Sequence, residues 1–208
     1  GSGSPWFRGE IGLREERIVS IRHRIHDEAA RTIDATGLVV APGFIDMHTH
    51  SDLRVFVHPE EDSKLLQGIT TALIGQDGLS VAPIDETNKA PMMQRVSGLL
   101  GTYLTEWPWS SMAEFLDRLD ALPPATNAMM LIPHGAVRAT ALGWENRFAA
   151  PDEIARMQGI LGRAFEEGGV GFSTGLIYPP GMYADRTELV ALCRVAAEYG
   201  GFFVVHMR

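Results

Sequence analysis

"AFEEGGVGFSTG" (residues 164–175) and "AAEYGGFFVVH" (residues 196–206) repeat one device: the end of a helical pattern, a glycine pair, then a short apolar run. Glycine just past a helix stops it, because it takes the left-handed backbone of a C-terminal cap without steric cost. The runs that follow are too short for helices and read as buried strands. Working outward, the same alternation covers most of the chain. Strand-like segments are "GFIDMHTH" (43–50), "TTALIGQDG" (70–78), "NAMMLIPHG" (127–135), "GVGFSTG" (169–175) and "GFFVVHMR" (201–208). Helical patterns lie between them at 59–68, 112–122, 151–168 and 185–200, and Pro151 followed by Asp152 and Glu153 is a good helix start. Strands alternating with helices predict an α/β fold of parallel βα units, either an open doubly wound sheet or a (β/α)8 barrel.

Residues 8–40 follow a different rule. "GEIGLREERIVSI" (9–21) alternates apolar and polar residues around a charged turn, "REER". "RTIDATGLVVAPG" (31–43) reads as a second strand pair, broken at Gly37 and stopped by Pro42 and Gly43. The division expected is therefore a small β element over 1–41 and βα units over 42–208. The longest segment without strand character, 79–126, carries Trp107 and Trp109, and Trp144 also follows a strand end. These tryptophans read equally as an aromatic rim over a site or as packing anchors for a long loop.

Composition narrows the functional classes. With 45% apolar and 21% charged residues the chain is an ordinary globular one. A net charge of −8 argues against nucleic-acid binding, and "IRHRIH" (21–26) is too short a basic cluster to reverse that. No stretch is apolar enough to suggest a membrane partner. The one cysteine, Cys193, cannot form an internal disulfide and lies in an apolar-periodic helix, so a core thiol and a cytoplasmic, reducing compartment are expected.

Polar residues recur at the strand ends, where a parallel barrel places its active site. They are His48 and His50 on the first strand, Asp77 on the second, His134 on the third, Ser173 and Thr174 on the fourth, and His206 on the fifth. On a strand, residues two apart share a face, which would aim both His48 and His50 one way. Imidazoles suit Zn²⁺, Ni²⁺, Mn²⁺ or Fe²⁺, although a bare His-x-His also occurs on surface turns. His206 is the best third imidazole, and its alternative is a core histidine bonded to backbone. Asp77, between Gly75 and Gly78, is the best carboxylate, though "QDG" also reads as a β-turn. His134 reads as a ligand, a substrate hydrogen-bonder or a loop cap. A metal here would activate water against an amide, ester or amidine carbon. Asp52 is too poorly placed by alternation to be a convincing proton shuttle.

"GLVVAPGFIDMHTHSD", "GITTALIGQDGLSVAP", "LIPHGAVR", "GVGFSTGLIYPPGMYA" and "FFVVHMR" together resemble the N-acyl-D-amino-acid deacylases (D-aminoacylases) of the amidohydrolase superfamily. "GFSTGLIYPPG" is the most specific of these motifs. The resemblance implies a metal-bearing (β/α)8 barrel beside a small β-sandwich, of which 1–41 would be part. It implies one or two divalent ions, Zn²⁺ foremost, and a small-molecule N-acyl amino acid as substrate. It says nothing of oligomeric state. His48, His50 and His206 match the family's metal ligands. Asp77 falls where the family usually has a cysteine in "GNCG", so the metal set is left open. Tyr178, in "LIYPPG", is the substrate contact the resemblance implies, and His134 and Ser173 join it as candidate substrate contacts from their strand ends. Family members continue well past "HMR", so the chain is expected to be a fragment of about five βα units, with the proton-shuttle aspartate beyond Arg208 and Gly1–Pro5 native sequence. Such a fragment is expected to expose strand edges and to have little activity alone. Two rivals remain: a cyclic-amide hydrolase of hydantoinase or dihydroorotase type, and a scaffold that has lost its metal.

Overall fold

A computed structural model describes Gly3 and residues 5–207. Gly1, Ser2, Ser4 and Arg208 lie outside the described residues, and with them part of the N-terminal stretch expected to be native sequence and the end of "GFFVVHMR". The chain divides into two compact units, Gly1–Pro42 and Gly43–Arg208.

The first unit contains one antiparallel hairpin, β1 (Glu10–Arg14) with β2 (Arg17–Arg22). Its two-residue turn falls within the charged stretch, and Glu15 takes a left-handed backbone with φ 55°. The second strand pair expected over 31–43 does not form: no residue from 23 to 43 enters a ladder. Alternation assigns faces, but a strand exists only where a neighbour takes its hydrogen bonds. Here Asp34 bonds locally instead, accepting from the Thr36 N–H at 2.9 Å and from the Thr36 hydroxyl at 2.6 Å.

The second unit runs β3 (Phe44–Asp46), α1 (Asp62–Leu65), β4 (Ile69–Ile74), α2 (Glu86–Leu100), α3 (Met112–Asp120), β5 (Asn127–Pro133), α4 (His134–Leu142), α5 (Pro151–Glu166), β6 (Gly171–Gly175), α6 (Arg186–Glu198) and β7 (Phe202–His206). The five strands are all parallel and lie in sequential order, β3-β4-β5-β6-β7. A doubly wound sheet reverses its order at a switch point. This one does not, so right-handed crossovers carry the helices to one face, as in a barrel.

Two of the helices escape a reading by periodicity. α2 begins at Asp85, whose carboxylate accepts from the Asn88 N–H at 2.9 Å, and it contains Pro91. Its buried residues Asn88, Met92, Val96 and Leu100 recur every four positions, but only three are apolar. α4 starts directly after β5 and is buried almost throughout, so no polar face marks it. The helix expected at 59–68 shrinks to the single turn of α1. α3 is closed by a capping box between Ser111 and Glu114, and α5 by Pro151 with Glu153 reaching back to the Ala150 N–H.

The core lies between the sheet and its helices. Ile74, Met130, Ile132 and Phe172 from the strands meet Met92, Phe115, Val137, Leu161 and Leu192 from the helices. The edge strands differ: Phe44 and Ile45 on β3, and Phe202 and Phe203 on β7, are exposed. Among the described residues no helix is long and apolar enough to cross a membrane.

Candidate metal centre

His48 and His50 lie in a bend just past β3, which ends at Asp46, so strand alternation does not orient them. They meet instead as an edge-to-face pair, with ring centroids 5.3 Å apart. Their common target is Asp77. His50 Nε2 is 3.3 Å and His48 Nε2 3.5 Å from Asp77 Oδ2, and His206 Nδ1 at the end of β7 is 3.6 Å from the same oxygen. In a flat sheet β4 and β7 would be about 14 Å apart, three strand spacings. Residues following β3, β4 and β7 can share one oxygen only because the sheet curls.

These separations are long for hydrogen bonds, which centre near about 2.9 Å. They match the edge of a tetrahedron of N and O donors around a zinc ion, about 3.3–3.4 Å for ligand distances near 2.0–2.1 Å. Donor atoms of His48, His50 and Asp77 all lie within 4.8 Å of one another, and His206 reaches the shared oxygen from outside that group. His50 Nδ1 is buried with no partner. A borderline divalent cation such as Zn²⁺ fits this set of three imidazoles and one carboxylate.

Asp77 sits in a turn of unusual backbone. Gly75, Asp77 and Gly78 have φ of 79°, 59° and 67°, and aspartate is among the few side chains that tolerate this region. The turn is held from beneath. Asp52 accepts from the Gly75 N–H at 3.1 Å and from the Ser80 hydroxyl, while Gln76 Nε2 donates to Met47 O at 2.8 Å and to Leu73 O at 3.0 Å. Burial pushes the Asp52 carboxyl up, against the bond from Ser80, and its Oδ2 has no partner. Asp52 thus supports the turn.

The three expected substrate contacts separate. Tyr178 packs edge-to-face on His206, centroids 5.2 Å apart, and stands next to the cluster. Ser173 is fully buried, and its hydroxyl bonds the backbone of the Asp77 turn at Gly75 and Gly78. His134 is fully buried as well, and the structure does not bring it to the other histidines. Its Nε2 meets Glu188 Oε1 and its Nδ1 the Thr174 hydroxyl, both at 2.7 Å. A carboxylate oxygen accepts, so Nε2 donates to Glu188 while Nδ1 pairs with the Thr174 hydroxyl. With both nitrogens engaged, His134 has nothing to offer a substrate. Arg138 Nε donates to the same Glu188 oxygen at 3.1 Å, and Arg138 Nη2 to Arg147 O at 2.7 Å. Neither Arg138 nor Glu188 carries a sequence signal of this role: a glutamate three residues after Asp185 reads as an exposed helix start.

The tryptophans are packing anchors. Trp107 and Trp109 are buried and stacked, Trp109 stacks on Phe56, and its Nε1 donates to Val81 O at 3.0 Å. Cys193 packs against the core, and burial pushes its thiol up. A cavity of about 520 Å³ opens beside His50, lined also by Arg54, His58 and Tyr103.

A curled parallel sheet with histidines and a carboxylate gathered at its strand ends is the arrangement of a parallel α/β barrel with a candidate metal centre. The Amidohydrolase family model matches residues 31–207. The chain belongs to that family. It is 39% identical over 210 residues to a D-aminoacylase of Alcaligenes xylosoxydans xylosoxydans, covering 100% of this chain and 42% of the relative. It is 37% identical to the N-acyl-D-glutamate deacylase of the same organism, covering 100% of this chain and 41% of the relative. Among solved structures it resembles N-acyl-D-glutamate deacylase from Bordetella bronchiseptica, complexed with zinc and a phosphonate mimic of the tetrahedral intermediate. That match has a TM-score of 0.88 at 35% identity and covers 100% of this chain and 42% of the other. The chain therefore spans about two-fifths of the length of these relatives.

Proposed function

We propose that the protein hydrolyses a linear amide C–N bond, releasing the acyl group from an N-acyl-D-amino acid, and that this chain carries most of its metal centre. The convergence of His48, His50 and His206 on Asp77 Oδ2 is the observation that supports it most. These four residues are the proposed ligands of one or two ions, Zn²⁺ foremost. When bound, such an ion supplies Lewis acidity toward the amide carbonyl and lowers the pKa of water. The protein's own part is to hold the donors at fixed spacing and to offer Tyr178, beside His206, as a substrate contact. The cavity beside His50 is the proposed seat of the remaining substrate. His134 and Ser173 have their polar atoms engaged elsewhere and are read as supports. Residues 1–41 are read as part of a small β-sandwich, and the free thiol of Cys193 favours a reducing compartment such as the cytoplasm.

The test is turnover by the intact, zinc-loaded protein. N-acetyl-D-amino acids, glutamate and aspartate included, should be hydrolysed and their L counterparts spared. Hydantoin turnover without D-amide turnover would favour the cyclic-amide reading. An intact protein carrying no stoichiometric metal would favour the scaffold. Residues 1–208 alone are expected to show little deacylation, and turnover comparable with the intact protein would refute that expectation.

A further inference from the structure

β4 ends at Ile74, and Gly75-Gln76-Asp77-Gly78 then reverses the chain. The reversal closes on itself through Gln76 O, which accepts from the Leu79 N–H at 3.0 Å. Gly75 O and Gly78 N–H, on either side of Asp77, lie outside that bond and are taken by a side chain from another strand. Ser173, in β6, donates its hydroxyl to Gly75 O and accepts from the Gly78 N–H at 3.1 Å. A hydroxyl has one proton and two lone pairs, so a single oxygen can serve both ends of the turn. Ser173 is fully buried, and no water competes for these bonds.

The same turn is pressed against its neighbours. A Cβ on Gly75 would lie 2.2 Å from Leu131 O, one on Gly135 2.6 Å from Gly78 O, and one on Gly175 2.4 Å from Asp77 O. The backbone of residues 75–78 thus fits between the ends of β5 and β6 only because three glycines leave room. The Ser173 hydroxyl is the bond that ties it to β6.

We propose that Ser173 is a positioning residue of the metal centre: by bonding the backbone on both sides of Asp77 through its hydroxyl, it fixes the direction in which Asp77 presents its carboxylate to the three histidines. This rests on the reading of that cluster as a metal site. Without the hydroxyl, Gly75 C=O and Gly78 N–H are left buried and unpaired, and the left-handed backbone of Asp77 loses its brace.

The experiment is a zinc-affinity cycle on the intact protein, by competition with a chromophoric chelator. Ser173→Ala should weaken zinc binding about 10- to 100-fold, the usual cost of removing a group that orients a ligand. Ser173→Thr, which keeps the hydroxyl, should recover part of that loss. In an Asp77→Ala background, Ser173→Ala should change zinc affinity little further, because its effect runs through Asp77. Should Ser173→Ala fold poorly, Ser173→Thr and amide exchange at Gly78 carry the test, that amide being slow in the metal-free wild type. Equal affinity in wild type and Ser173→Ala would overturn the proposal and leave the metal centre standing. So would the same loss with and without Asp77, or a fast-exchanging Gly78 amide. A wild type that takes up no zinc would remove both.

Discussion

Two sets of polar side chains, one gathered past β3 and β4 and at the end of β7, the other on α4, β6 and α6, are built on opposite principles. His48, His50, Asp77 and His206 face one another across gaps of 3.3–3.6 Å, and His48 and His206 are about half exposed. His134, Thr174, Glu188 and Arg138 are fully buried and bonded at 2.7–3.1 Å. The first set has donors aimed at a shared point. The second has its donors and acceptors mostly consumed by each other. A histidine at a strand end is therefore ambiguous until its ring nitrogens are followed to their partners.

That contrast can be broken by mutation. The largest effect is expected in the closed set. Glu188→Ala strands the Arg138 guanidinium and one His134 nitrogen in the core, and should cost about 3–5 kcal/mol of stability with or without metal. His50→Ala should cost the metal-free protein less than about 1 kcal/mol. Denaturant unfolding of both in chelator checks this, and equal losses would erase the distinction. A middle-sized effect belongs to the open set. Zinc at a hundredfold excess over its dissociation constant should stabilise the intact protein by about 2.7 kcal/mol. The stabilisation should vanish in His50→Ala and persist in Glu153→Gln, as thermal unfolding with and without chelator would reveal.

The smallest effect lies at the exposed rim of the closed set, where Arg147 accepts from Arg138 through its carbonyl and pairs with Glu153 through its guanidinium. The Arg147 guanidinium, with the Ala150 N–H, holds the Glu153 carboxyl down at about 2. A carboxyl depressed in the fold stabilises it above the unfolded value, and that contribution fades as pH falls from about 4.5 toward about 2. Glu153→Gln should flatten that stretch of an acid-unfolding curve slightly, since solvent screens the pair. A large flattening would mean that the rim is part of the closed network.

The parts legible in the sequence are those with a local cause. Glycine pairs at 168–169 and 200–201 announce the strands that follow them, and the alternation of elements announces parallel pairing. His48 and His50 were readable because they end an apolar run, Asp77 because glycines flank it, and His206 because it ends the fifth strand. How closely the four meet was not legible, since it depends on the curl of the sheet. Ser173 was read as a substrate contact from its place at a strand end. Nothing in its neighbours reveals that its hydroxyl bonds the backbone on both sides of Asp77, nearly a hundred residues earlier. α4 was invisible because a fully buried helix has no amphipathic stripe. The strands expected over 31–43 were over-read, because alternation is a property of one segment and pairing a property of two.

The left-handed backbone at residue 77 is braced by Asp52, Ser173 and the surrounding glycines, and it suits the aspartate it carries. The position therefore works as a socket. Exchanging its hard oxygen for a soft sulfur would shift the ion it favours while leaving the strands around it in place, at the cost of a side chain less suited to that backbone.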